Sequence, residues 1–89
     1  MDNLDIPKLK VIFSALANER RIKILELCSG KEMTVTKLSK ILKLDYSITV
    51  EYTSMLQKAN LVSKIRNEDK TVNVKSLVRL NNNGEIKRI

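Results

Sequence analysis

The chain has 89 residues, with 17 Lys and Arg against 10 Asp and Glu, for a formal net charge of +7. That length predicts one domain over residues 1–89, and the positive balance favours a polyanionic partner. There is no histidine, Cys28 is the one cysteine, and no Gly-rich phosphate loop or clustered carboxylate pair is present, so neither an internal metal site nor an enzyme active site is expected.

No apolar run approaches the roughly 18–20 residues of a membrane span. The opening MDNLDIP is acidic and has no apolar h-region, so no secretory signal is expected. A lone Cys28 cannot form an internal disulfide, which suits a reducing cytoplasm. The aromatics are Phe13, Tyr46 and Tyr52, so the core must be aliphatic.

In chain order, Pro7 suits the first turn of a helix, where its missing N–H costs nothing. Leu9, Ile12, Phe13 and Leu16 follow as an apolar stripe at helical spacing. The stripe reads as a core-facing helix, and a sharper reading adds a dimer contact. Asn18 is the next N-cap and Glu19 favours the positive end of a second helix, whose inner face is read as Ile22, Leu25 and Cys28 or Leu27. Cys28 reads as a small core residue.

Residues 33–62 organise the rest. Thr34 is an N-cap candidate, and Val35, Leu38 and Leu42 recur at helical spacing. Lys43 and Leu44 make a short link. Asp45 is the next cap, and a longer helix is expected from Tyr46 to about Lys58, closed by Asn60 in the left-handed conformation. Two strand-like runs, LVSKIR and TVNVKSLVRL, flank the polar link 67–70 and predict a β-hairpin. Val72, Val74, Val78 and Leu80 share one parity of the second run, and Leu77 breaks it. In the tail, Asn81 could cap a short last helix carrying Ile86 and Ile89.

Helix, tight turn, helix and hairpin make a mainly α plan with a small β-hairpin, an α+β winged helix-turn-helix with a three-helix core plus wing. The segment LANERRIKIL at residues 16–25, MTVTKLSKILKLDYS from residue 33 and MLQKANLV from residue 55 resemble ArsR-type winged-helix transcription regulators over about residues 9–80. The resemblance implies a dimeric, cytoplasmic, DNA-binding repressor. It also marks departures. Lys43 stands where the family often has Gly in the turn, and Thr49 and Thr53 stand where it usually has buried aliphatics. Metal-sensing members carry Cys-x-Cys where this chain has Thr36-Lys37-Leu38-Ser39, so metal sensing does not carry over.

The helix starting at Tyr46 should enter the major groove of double-stranded DNA. Composition alone turns Ile48, Tyr52, Met55, Leu56 and Ala59 inward. The resemblance turns Thr49, Tyr52, Thr53 and Leu56 inward. Both leave Ser47, Val50 and Ser54 outward; Glu51 is outward on the second alone, and Tyr46 sits at the helix start. Residues 45–58 hold Asp45, Glu51 and Lys58, a net charge of −2 + 1 = −1. The basic residues flank this helix: Lys37, Lys40 and Lys43 before it, Lys64, Arg66 and Lys70 on the hairpin. That arrangement suits phosphate clamps around a neutral reading helix.

A homodimer is expected through Leu9, Ile12, Phe13 and Leu16 of the first helix with Leu77, Ile86 and Ile89, which would set two reading helices about 34 Å apart. The leading expectation is a sequence-specific DNA-binding transcription regulator, with no cofactor and no membrane partner. The alternative is a winged helix used as a protein-interaction module, which the mildly acidic reading helix favours. No effector pocket is readable.

Overall fold

A computed structural model describes residues 5–80 and 86–88. Helix α1 spans Ile6–Leu16, with Asp5 as N-cap accepting from the Lys8 N–H at 3.1 Å and Pro7 in the first turn. Its line of contact runs through half-buried Ile12, buried Ala15 and half-buried Leu16, against α2 and α4, which span Glu19–Ser29 and Tyr46–Lys58. Ala15 is small enough to let the helices approach closely. Phe13 falls about 100° round from Ile12 and is 64% exposed, so it leaves the inward stripe expected of it.

Asn18 caps α2 by accepting from the N–H groups of Arg20 and Arg21, at 2.8 and 3.1 Å. The inner face of α2 is Arg21, Ile24, Leu25 and Cys28. Ile22, expected there, is half-buried, and the arginine takes the deeper position. Strand β1 is Met33–Thr34, and α3 follows directly as Val35–Leu42. Thr34 therefore serves twice, pairing with Asn73 and capping α3 through its hydroxyl, which accepts from the Lys37 N–H at 3.1 Å. Lys43 closes α3 in the left-handed conformation, φ 54°, and the Leu44 N–H reaches back to the Ser39 carbonyl at 3.0 Å. The turn is thus made without the glycine that would relieve it, at a cost on the order of 1 kcal/mol.

Asp45 has the extended backbone of an N-cap, but its carboxylate makes no capping bond, contrary to expectation. Its carbonyl accepts from both the N–H and the hydroxyl of Thr49, each at 3.0 Å. The buried face of α4 is Thr49, Thr53 and Leu56. The Thr53 hydroxyl donates to the carbonyls of Thr49 and Val50, at 2.9 and 3.0 Å. With their hydroxyls satisfied inside their own helix, both threonines bury as aliphatic side chains would. The orientation implied by the family resemblance is therefore the observed one; Ile48 and Met55, placed inward by composition, are half-buried. Asn60, φ 59°, ends the helix, with its N–H on the Gln57 carbonyl and the Leu61 N–H on that of Leu56. This pair of bonds is a Schellman closure, and buried Leu61 and Leu56 give its usual apolar contact.

Strands β2 and β3, Val62–Arg66 and Val72–Ser76, form the expected antiparallel hairpin, with Lys64 opposite Val74 and Arg66 opposite Val72. The sheet order is β1-β3-β2. At the tip the Lys70 N–H donates to the Asn67 carbonyl and the Asn67 N–H to the Thr71 carbonyl, with Lys70 left-handed at φ 71°. The Asp69 carboxylate accepts from the Thr71 hydroxyl and N–H, and these bonds hold its pKa below the usual value.

The run expected as one strand bends at Leu77, whose N–H donates to the Leu61 carbonyl at 2.9 Å, and resumes as β4, Val78–Leu80. The last segment is not the short helix expected of the tail. Residues Ile86–Arg88 are strand β5, antiparallel to β4, with Val78 opposite Arg88. Three asparagines and a glycine at 81–84 are poor helix formers, and β4 offers an edge for pairing. Asn81 and Ile89 lie outside the described residues. Between the helices and the sheet sits an aliphatic core that includes Ile24, Leu25, Val35, Leu38, Leu56, Val62 and Val74.

Candidate nucleic-acid interface

Burial of Thr49, Thr53 and Leu56 fixes what α4 presents on its other side. Tyr46, Ser47, Glu51, Ser54 and Gln57 are all exposed. Ser47, Glu51 and Ser54 follow at i, i+4 and i+7 and so share one face. Tyr46, at the entry to the helix, is half-exposed at 50%. Val50, expected to face outward, is half-buried and packs against the core, because it lies over the cleft between α4 and the hairpin. That cleft has a volume of about 460 Å³ and is lined by Tyr46, Val50, Gln57, Lys64, Arg66 and others.

Basic residues stand on the elements that precede and follow α4 in the chain. Lys37, Lys40 and Lys43 are exposed on α3 and its closing turn, and Arg66 and Lys70 are exposed at the far end of the hairpin. Lys64 differs from its expected role as a free clamp. It is half-buried, and its ammonium donates to the Ser54 hydroxyl at 3.0 Å, tying β2 to the outer face of α4. Burial, and then the like charge of Arg66, lower its pKa. Two side chains expected to meet DNA independently therefore meet each other.

The residues expected at a dimer contact are divided. Leu9, Ile12 and Leu16 are half-buried within the domain, and Phe13 is exposed, as are Ile6 and Val11 elsewhere on α1. Leu77, expected on the wrong strand face, is half-buried at the bend. Ile86 pairs through its backbone with Leu80, and Ile89 lies outside the described residues.

Sequence reasoning missed Arg21. It is 8% exposed, its guanidinium donates to the Ser14 and Ala15 carbonyls at 2.9 and 2.8 Å, and it lies over the Tyr52 ring. Its spacing with Ile24, Leu25 and Cys28 was the available signal. Sequence reasoning also passed over Gln57 on the cleft. Burial pushes the Cys28 thiol up from 9.0 to about 12, which removes it from thiolate chemistry near neutral pH. Among the described residues no three His, Cys, Asp or Glu cluster as metal ligands, and no helix is long and apolar enough to cross a membrane.

Comparison with known proteins agrees with this architecture. A winged helix-turn-helix family model matches residues 20–86, from the start of α2 into β5. Reduced HlyU from Vibrio cholerae is 34% identical, with a TM-score of 0.69 over 79% of this chain and 73% of that one. HlyU from Vibrio vulnificus, described as a transcriptional regulator, is 33% identical with a TM-score of 0.65 over 79% and 72%. NolR from Sinorhizobium fredii is 29% identical with a TM-score of 0.70 over 85% and 81%. No curated protein sequence matches significantly. The chain belongs to the winged helix-turn-helix family.

Proposed function

We propose that this protein is a sequence-specific, double-stranded DNA-binding transcription regulator of the ArsR type, a cytoplasmic repressor without a metal response. One observation carries the reading: the exposed face of α4 is neutral to slightly acidic, and Lys37, Lys43, Arg66 and Lys70 stand exposed on the elements either side of it. Phosphate contacts orient a protein on the duplex, and base contacts specify the site. Here the two tasks are divided between the flanks and the helix. The clamps hold the backbone; Tyr46 and Ser47 enter the major groove first, as the N-terminal residues of a reading helix do. Lys64 holds the wing against α4 through Ser54, so the clamp on the hairpin keeps a set position relative to the reading helix.

The protein acts as one domain per subunit and as a two-fold dimer through α1, where Phe13 is exposed on a free face. The description of the Vibrio vulnificus HlyU as a transcriptional regulator supports the same class.

Selection of bound duplexes from a random pool tests this reading. It predicts recovery of a pseudo-palindrome whose half-sites lie about one helical turn apart. Recovery of nothing above the starting pool would reject it. In the second reading the motif docks on a protein, which the exposed Tyr46 on the cleft favours. Duplex binding would then be absent at any salt concentration.

A further inference from the structure

We propose that Glu51 is the specificity-determining residue of the reading helix, accepting a hydrogen bond from the exocyclic amino group of a cytosine in the major groove. The inference rests on the DNA-binding reading above and deepens it.

Glu51 is exposed on the second turn of α4, on the line of Ser47 and Ser54 and away from buried Thr49, Thr53 and Leu56. It is the carboxylate at the centre of that face. Among the described residues no Lys or Arg pairs with it. A cation does reach this face, because Lys64 comes across from β2, but its ammonium goes to the Ser54 hydroxyl at 3.0 Å, three residues on. Among the described residues the carboxylate therefore has no donor, and it keeps its acceptor capacity.

Against DNA, such a group is repelled by the phosphates and must find a donor to be tolerated. Among major-groove base edges, guanine offers the acceptors N7 and O6 and thymine the acceptor O4 and a methyl group. Only cytosine N4 and adenine N6 donate. Adenine sets its acceptor N7 beside its amino group, where it faces the second carboxylate oxygen. Cytosine has no such acceptor, and it is the base that Glu and Asp read. The carboxylate thus rejects three bases by repulsion and accepts one, while the basic flanks supply the affinity that it subtracts.

The test compares the motifs that wild type, Glu51→Gln and Glu51→Ala select from one random duplex pool. Wild type should enrich cytosine at one position of each half-site. Glu51→Gln should move that position to adenine, whose N6 and N7 match a carboxamide. Glu51→Ala should level it, reduce discrimination there by about 5- to 150-fold, and tighten binding to random duplex. Identical motifs from all three proteins, or equal weakening on every sequence, would overturn the proposal. A wild type that binds no duplex at any salt concentration would instead reject the DNA-binding reading, so the two failures are separable.

Discussion

The guanidinium carbon of Arg21 lies 5.1 Å from the centroid of the Tyr52 ring, so α2 and α4 meet through a cation and an aromatic face. The same guanidinium takes two carbonyls at the end of α1. One side chain therefore joins three helices, and its planar fork suits this task better than an ammonium would. Arg21→Ala should destabilise the fold by about 2–4 kcal/mol, from charge-assisted hydrogen bonds and the ring contact together. Arg21→Lys should recover less than half of that. Urea unfolding of the three proteins measures both values, and an Arg21→Ala midpoint equal to wild type would show that the contact contributes nothing.

Lys43 and Lys70 both hold left-handed backbone, at φ 54° and 71°, on either side of α4. Glycine would adopt either conformation without the Cβ penalty. Lys43→Gly and Lys70→Gly are each expected to stabilise the fold by about 0.5–1 kcal/mol. Both should weaken DNA binding, because each removes a clamp. Urea midpoints and duplex titration of the same samples check the two halves. A gain in stability with unchanged affinity would leave the lysine without a role at the interface.

Cys28 gives a pH dependence of definite sign. The unfolded thiol ionises near its ordinary value of 9.0, and the folded one holds its proton until about 12. Between those values unfolding releases a proton, so stability falls as pH rises from 9 to 12. The slope from this group is at most about 1.4 kcal/mol per pH unit. Unfolding free energies at a series of pH values above 8 should decline more steeply for wild type than for Cys28→Ala. Parallel curves would mean that Cys28 is not held protonated by the fold.

Phe13 allows a direct test of assembly because it is 64% exposed and its loss leaves the core intact. Sedimentation equilibrium at micromolar protein should give a dimer mass for wild type and a monomer mass for Phe13→Asp, with a lower, concentration-independent unfolding midpoint for the variant, since association stabilises the folded state by mass action. Affinity for a two-half-site duplex should fall in the variant, since each half-site must then be bound separately. A monomeric wild type would remove the dimer from the scheme.

What could be read from residues alone followed the range of the interactions. The caps at Asn18 and Thr34 and the closure at Asn60 act within a few residues, and periodicity located the elements between them. Hydropathy turned α4 part of the way, burying Leu56 and Ala59 as observed but taking Ile48 and Met55 inward in place of Thr49 and Thr53, because it counts threonine as polar; those threonines spend their hydroxyls on the carbonyls of Asp45 and Thr49. The family resemblance had the orientation right. Phe13 was misplaced because small Ala15 sets the contact line of α1. The Lys64–Ser54 bond spans ten positions and two elements, and the pairing of β5 with β4 depends on an edge that local pattern does not reveal. The basic flanks were legible as charges, and that Lys64 spends its ammonium on Ser54 was not.

The salt dependence of duplex binding bears most directly on the division between clamping flanks and a reading helix. The observed association constant should fall linearly on a log–log plot. With Lys37, Lys43, Arg66 and Lys70 each neutralising a phosphate, the slope should be about −3 to −4 per subunit. Arg66→Ala should weaken binding to all duplexes alike and reduce the magnitude of the slope by about 0.9. A slope near zero, or one that Arg66→Ala leaves unchanged together with the affinity, would contradict the phosphate clamp.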